Sequence, residues 1–180
     1  MQPRKISIPL ACGLIAGLAM ILLTTVLYLS GVNAYLGWPA YLGNVILLGM
    51  AIVAPLREKK AGGGYLEFKD ALKAAFLVFV IALLLQTLFS WVLMNYIDPA
   101  FRQAVEQAIL EKIEKFMVRM NLSQDDIDKT LAKQRGSDQF SLSKSMMGLG
   151  VSYIVYFLIA LVIAAIVKKK KPEFNEADLK

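Results

Sequence analysis

The sequence predicts an all-α integral membrane four-helix bundle with an extracytoplasmic amphipathic helical hairpin between spans three and four. Three observations carry this. Hydrophobic residues make up 57% of the chain and charged residues 19%, with mean hydropathy +0.56, against about 45–50% and 25% in soluble domains. The charges fall in blocks and leave four apolar runs, each long enough to cross the roughly 30 Å hydrocarbon layer of a bilayer. Lys and Arg gather beside those runs rather than in a stripe interleaved with aromatics. The net charge of +6 therefore speaks for membrane topology and not for nucleic-acid binding.

No charge falls between Lys5 and Arg57, which leaves room for two spans and a tight turn. The first span is predicted at about 8–29. Ser30, Gly31, Asn33, Gly37 and the Trp38-Pro39 pair mark the turn. The second span is predicted at 38–54, ended by Pro55, with Trp38 and Tyr41 as interfacial anchors. Gly62, Gly63 and Gly64 follow beside Lys59 and Lys60. A phosphate cradle would need a preceding strand and a closing Gly-Lys-Ser/Thr, and a dinucleotide fingerprint would need glycine where Glu67 stands. The run instead reads as a flexible hinge. Tyr65, Phe68, Ala71 and Leu72 then share one face of an interfacial helix leading into span three, predicted at 74–97 with Trp91 and Tyr96 near its end. Span four is predicted at 145–167, with Lys168 to Lys171 as a stop. The chain reads as one membrane domain, 1–180.

The first run follows Arg4 and Lys5 but is too long for a secretory h-region. Only about six apolar residues precede Cys12, too few for a lipoprotein signal, so Cys12 is expected to be a small packing residue in a helix. Four spans place both termini on one side. Arg4, Lys5, Arg57, Lys59, Lys60, Lys69, Lys73 and Lys168 to Lys171 all flank that side, whereas the first turn is uncharged. By the positive-inside rule both termini are expected to be cytoplasmic, with segment 97–144 extracytoplasmic. The expected location is the cell inner membrane.

The extramembrane insert, 98–144, has the grammar of two helices. Asp98-Pro99 supplies an N-cap and a proline at the first helical position. Phe101, Val105, Ile109, Ile113 and Met117 recur every four residues as one apolar face, and Glu111 with Lys115 adds an i,i+4 pair. Asn121-Leu122 breaks the pattern. Ser123 with Asp126 resembles a capping box opening a second helix to about Arg135, and Gly136-Ser137 closes it. The stripe from Phe101 to Met117 has two readings: packing against the second helix, the spans or the bilayer surface, or an association surface for a partner or a second copy.

Chemistry is sparse. The chain has no histidine and one cysteine, and no Asp, Glu, Lys or Arg falls inside the four runs. Proton-coupled transport and aspartyl or metal-dependent intramembrane proteolysis thus lose their usual groups. Ser90 and Ser152 have no evident base. Asp70 and Asp98 sit at predicted helix starts, where capping and the helix dipole explain them. No paired carboxylates or metal-ligand spacing is evident, so no catalytic, metal or cofactor residue and no cofactor is expected. The polar groups within the runs are Thr24, Thr25, Asn44, Gln86, Thr87, Ser90 and Asn95. Gln86 lies near mid-span and needs a partner, through either an interhelical hydrogen bond or a polar lining for a small-solute path. Gly13 and Gly17 form a G-x-x-x-G pair suited to close packing within the bundle or to dimerisation.

Several stretches carry a resemblance: "CGLIAGL" in span one, "YLEFKDALKAAF" leading into span three, "NYIDPAF" closing it, "MNLSQDDID" in the hairpin and "LIALVIAAIVKKKK" near the chain's end. In order and spacing the chain resembles the small bacterial membrane proteins grouped as domain of unknown function 4199, over nearly its whole length. Tyr96, Ile97, Asp98, Pro99 and Phe101 form the most specific element. The family usually has glycine before the hairpin serine. Here Asn121 stands near that place, and asparagine also tolerates left-handed geometry. The resemblance implies four spans and no activity. The expected function is that of a non-enzymatic accessory or scaffold protein of the bacterial inner membrane. It would act by association, with the lipid bilayer and a second copy or another membrane protein as partners and no nucleic acid. The alternative is a small oligomeric transporter or channel.

Overall fold

The computed structural model describes residues 7–170. Arg4, Lys5 and Lys171, used above for orientation, lie outside the described residues. The first span is helix α1, Ile8–Leu29. A short helix α2, Val32–Tyr35, and a tight 3-10 turn, Trp38–Tyr41, lead to α3, Leu42–Ala61. Helix α4 covers Phe68–Val92 and passes into a wider π turn, Leu93–Ile97. Helices α5, Pro99–Arg119, and α6, Gln124–Arg135, form the hairpin, and α7, Leu142–Val167, is the last span. Four helical segments are long and apolar enough to cross a membrane: Ile8–Leu29, Trp38–Ala61, Phe68–Ile97 and Leu142–Val167.

The bundle is built around α4, which packs against α1, α3 and α7. Its interior is lined by small side chains: Ala16, Ala51, Ala54, Ala71, Ala75, Ala82, Ala160 and Ala164 are buried, with Phe79 the bulkiest of the fully buried residues. The large aliphatics face outward; Leu22 is 68% exposed and Ile166 78%. In water that arrangement would be inverted. In lipid it follows from physics, because acyl chains solvate leucine as well as protein does, and close backbone approach is what remains to hold helices together.

Two expectations about where the spans end and begin need correction, and a third about the glycines between them. Pro55 does not end the second span: α3 runs through it to Ala61, with Pro55 buried. One backbone hydrogen bond is forgone, a loss that apolar spans accommodate through neighbouring packing. Lys59 and Lys60 in the last turn favour the extension by meeting the negative end of the helix dipole. The third span likewise starts earlier, at Phe68, as one continuous helix with no separate interfacial segment.

The triple glycine is not a loose hinge but a helix stop. Gly63 and Gly64 have φ of 71° and 89°, open to glycine at no steric cost. Gly64 N–H donates to Lys59 O at 2.8 Å and Gly63 N–H to Lys60 O at 3.3 Å, the two bonds of a Schellman cap. The chain is then pinned to α7. Leu66 and Lys169 exchange backbone hydrogen bonds of 2.9 and 2.8 Å, and Lys59 Nζ donates to Val167 O at 2.7 Å.

Candidate functional site

The sequence features with functional potential lie at two places: the base and tip of the α5–α6 hairpin, and the polar pair inside the bundle. The base is organised by the π turn. Its extra residue lets Asp98 N–H reach Leu93 O at 2.9 Å and swings Asn95 out of the helical register. Asn95 Nδ2 donates to Trp91 O at 2.9 Å and to Phe140 O at 3.0 Å, while its Oδ1 accepts from Arg102 Nη1 at 2.6 Å. The same guanidinium bonds Glu106 and Asp138 and lies over the Phe140 ring. Arg102 thereby ties α5, the π turn and the segment returning from α6 to α7 into one knot.

Asp98 caps α5, accepting from Phe101 N–H at 2.8 Å, and takes a second bond from the Tyr28 hydroxyl of α1 at 2.9 Å. Phe101 stands edge-on to Tyr28 and Tyr35, at centroid distances of 4.8 and 5.4 Å. The Phe101 N–H, and next the Tyr28 hydroxyl, hold the Asp98 carboxyl below its ordinary value of 3.8. A carboxylate depressed in the folded state adds stability above its unfolded pKa and loses it as pH falls through the folded pKa. Acidification below about pH 4 is therefore expected to loosen the hairpin base. The readout is faster amide exchange at Phe101, corrected for intrinsic rates, with Asp98→Asn abolishing the response. A corrected rate that stays flat through that range would refute the assignment.

A family model described as "Protein of unknown function (DUF4199)" matches residues 11–169. The chain belongs to this family. No curated protein and no solved structure matches it. The matched region of this DUF4199 chain begins within α1 and ends at Lys169 of the bridge, so it takes in most of α1, the other three spans and the whole hairpin.

The apolar stripe of this DUF4199 hairpin faces inward. Val105 is buried, Phe101 is held between two tyrosines, and Ile109 is half-buried beside Leu110 in a cleft of about 580 Å³. Met117 and Ile113 pack on Ile127 and Leu131 of α6. Of the two readings of the stripe from Phe101 to Met117, internal packing is what Phe101, Val105, Ile113 and Met117 show in the structure. A second patch is free instead. Phe116 is 61% exposed, Met120 59%, Val118 55% and Leu122 42%. The four-residue period picks out none of these as a face, and Leu122 entered only as part of the break in the pattern. The Schellman cap at Asn121, φ 56°, closes α5 at the hairpin's far end, where Phe116 and Met120 share one side and Val118 lies on another, beside Glu114 and Lys115: Leu122 N–H donates to Met117 O and Asn121 N–H to Val118 O. Ser123 caps α6 as the sequence indicated, accepting from Asp126 N–H at 3.3 Å.

Inside the bundle Gly13 and Gly17 face α4. A Cβ at Gly13 would stand 2.9 Å from Ile81 Cβ, and one at Gly17 2.7 Å from Leu85 Cδ1. Gln86 Nε2 donates to Thr24 Oγ1 of α1 at 2.7 Å and to Ser90 Oγ at 3.2 Å, and Ser152 Oγ bonds back to Gly148 O. At the opposite end Glu58 and Asp70, which the sequence did not pair, line one cleft of about 590 Å³ with Lys73. Among the described residues no three His, Cys, Asp or Glu side chains are placed to hold a metal ion.

Proposed function

We propose that the protein is a non-enzymatic accessory or scaffold component of the bacterial inner membrane that acts by association through the tip of its α5–α6 hairpin. The observation that carries this reading is the exposure of four apolar side chains near the hairpin tip, Phe116, Val118, Met120 and Leu122, on a hairpin whose base is tied down by Arg102 and Asp98. Rigid mounting of an apolar patch is what a protein contact needs, since little ordering is left to be done on binding. The patch sits among charges of both signs, Glu111 and Glu114 with Lys115 and Arg119, which gives no net attraction to anionic lipid. A protein partner, either a second copy or another membrane protein, fits better than a lipid anchor. The bacterial setting rests on the family resemblance. The orientation rests on Arg57, Lys59, Lys60, Lys69, Lys73, Lys168 and Lys169 collecting at the end where α1 begins and α7 finishes. On this reading the termini are cytoplasmic and the hairpin lies outside. A reporter fused after Lys180 is expected to read as cytoplasmic.

A photo-crosslinking side chain at Val118, activated in intact membranes, is expected to give a discrete protein adduct that Phe116→Asp weakens about tenfold or more. That factor corresponds to about 1.4 kcal/mol, within the range for losing one anchoring aromatic from an interface. Adducts to lipid alone, or none, would discard the reading. A transport role would rest on neutral groups such as Gln86 with Thr24 and Ser90, with no Asp, Glu, Lys, Arg or His in the four apolar runs to couple it to an ion.

A further inference from the structure

We propose that the cleft between α5 and the segment 134–140 binds a neutral saccharide, held by the side-chain amides of Gln103, Gln107, Gln134 and Gln139. The cleft has a volume of about 580 Å³, within the roughly 300–1,000 Å³ usual for small-molecule sites. On α5, Gln103, Glu106, Gln107 and Leu110 follow one another at three- and four-residue spacing and form one side of it. The end of α6 and the turn after it form the other, through Gln134, Ser137, Gln139 and Phe140. Gln103 and Gln107 are exposed on a hairpin outside the four spans, so the cleft is reached from water. It is separate from the exposed apolar side chains at the hairpin tip.

The polar groups of the cleft suit neighbouring hydroxyls. Gln139 Nε2 donates to Gln134 Oε1 at 2.6 Å and to Ser137 Oγ at 3.2 Å. These bonds hold both amides in place and leave the Gln134 NH2 group and the Gln139 carbonyl for a ligand. If both amides are turned over, the open pair is still one donor and one acceptor. An amide sets an acceptor beside a donor, so it meets two adjacent hydroxyls of a sugar ring at once, accepting from one and donating to the other. Gln103 and Gln107, one turn apart on α5, repeat that arrangement from the opposite side. The apolar share of the lining is Ile109, Leu110 and Phe140. It gives the C–H face of a pyranose a surface to lie on, and an aromatic ring face is slightly negative where sugar C–H groups are slightly positive. Phe140 is already fixed: its carbonyl accepts from Asn95 Nδ2 at 3.0 Å, and Arg102 lies over its ring at 5.7 Å. Little ordering is then left to be done on binding. The charges in the lining, Glu106 and Arg135, are opposite in sign, and Glu106 is bonded to Arg102, so no net field draws in an ionic ligand. An extended peptide pairs its backbone with an open sheet edge, whereas both sides of this cleft are helix or turn.

The test uses the full chain in lipid nanodiscs, with empty nanodiscs as background. Cellobiose is the probe, N,N′-diacetylchitobiose stands beside it to tell a plain hydroxyl pattern from an acetamido one, and N-acetyl-Ala-Ala-amide is the neutral peptide control. Each is titrated by saturation-transfer NMR. The expected result is saturable binding of at least one disaccharide and weaker binding of the peptide. Gln107→Ala and Gln139→Ala, one from each side of the cleft, should each weaken the sugar by about two- to tenfold, the factor one hydrogen bond of ordinary net strength supplies. Gln107 is exposed on α5, so its variant keeps the test decisive if Gln139→Ala disturbs the turn. No saturable binding of either disaccharide, unchanged affinity in Gln107→Ala, or a peptide control that binds as tightly as the sugars each overturns the proposal.

Discussion

Gly13→Val is expected to push α1 off α4 and destabilise the bundle by about 1–3 kcal/mol, the usual range for overpacking a close-packed interior. The reason is geometric. An added Cβ would stand 2.9 Å from Ile81 Cβ, 3.2 Å from its Cδ1 and 3.3 Å from its Cγ2. Because Cβ is bound directly to the α4 backbone, no rotamer change clears the clash and a helix must move. Gly17 is more forgiving, since its nearest obstacle is the movable end of Leu85. The chain carries its own reporter: Cys12, its lone cysteine, is buried beside Gly13. A thiol-reactive fluorogenic dye should label it at a lower temperature in Gly13→Val than in wild type, with Gly17→Ala between them. Equal labelling temperatures would show that α1 does not depend on this contact.

Arg102→Ala is the second large effect. It takes away a bond to Asn95 Oδ1, an ion pair with Glu106, another with Asp138 and the cover over Phe140. A bond from a charged donor to a neutral amide is worth more than a neutral one, whereas half-exposed ion pairs contribute little. With Asp138 52% exposed, the sum is expected near 1–2 kcal/mol, felt locally. Segment 136–141 and the amides of the π turn should exchange faster, while the spans below keep their protection. Arg102→Lys should recover less than half of the loss, because one ammonium cannot reach three acceptors that a flat guanidinium meets at once. Unchanged exchange in 136–141 would remove Arg102 from its role as the knot. Loosening this base should also weaken the Val118 adduct, which links the energetic role to the proposed association.

The spans were legible because each depends on one local property, an apolar run bounded by charge. The fourth run was placed at 145–167 and the helix is Leu142–Val167; the first agrees at both ends. Caps were legible for the same reason, since Asp98 and Ser123 act on backbone amides three residues away. Pro55 and the glycines were misread where a local rule met a non-local partner. A proline that stops a helix in water is carried within a packed span, and glycines that read as a joint are held by a bridge to Lys169, more than a hundred positions on.

By itself, then, the sequence determined the solvent of each segment, the number of spans, the side on which positive charge collects and the helical grammar of the hairpin. These follow from transfer free energies and i to i+3 or i+4 contacts, which stay within a few residues. Only the tertiary structure decided that the Phe101–Met117 stripe is internal and the Phe116–Leu122 patch free. It alone turned Gly13 towards α4 and buried one end of the Gln86 amide without a protein partner. Those outcomes depend on which helix lies opposite, and in lipid that choice rests on shape and on single hydrogen bonds between residues far apart in the chain. Hydrophobicity cannot make it, because nearly every residue in the spans is hydrophobic.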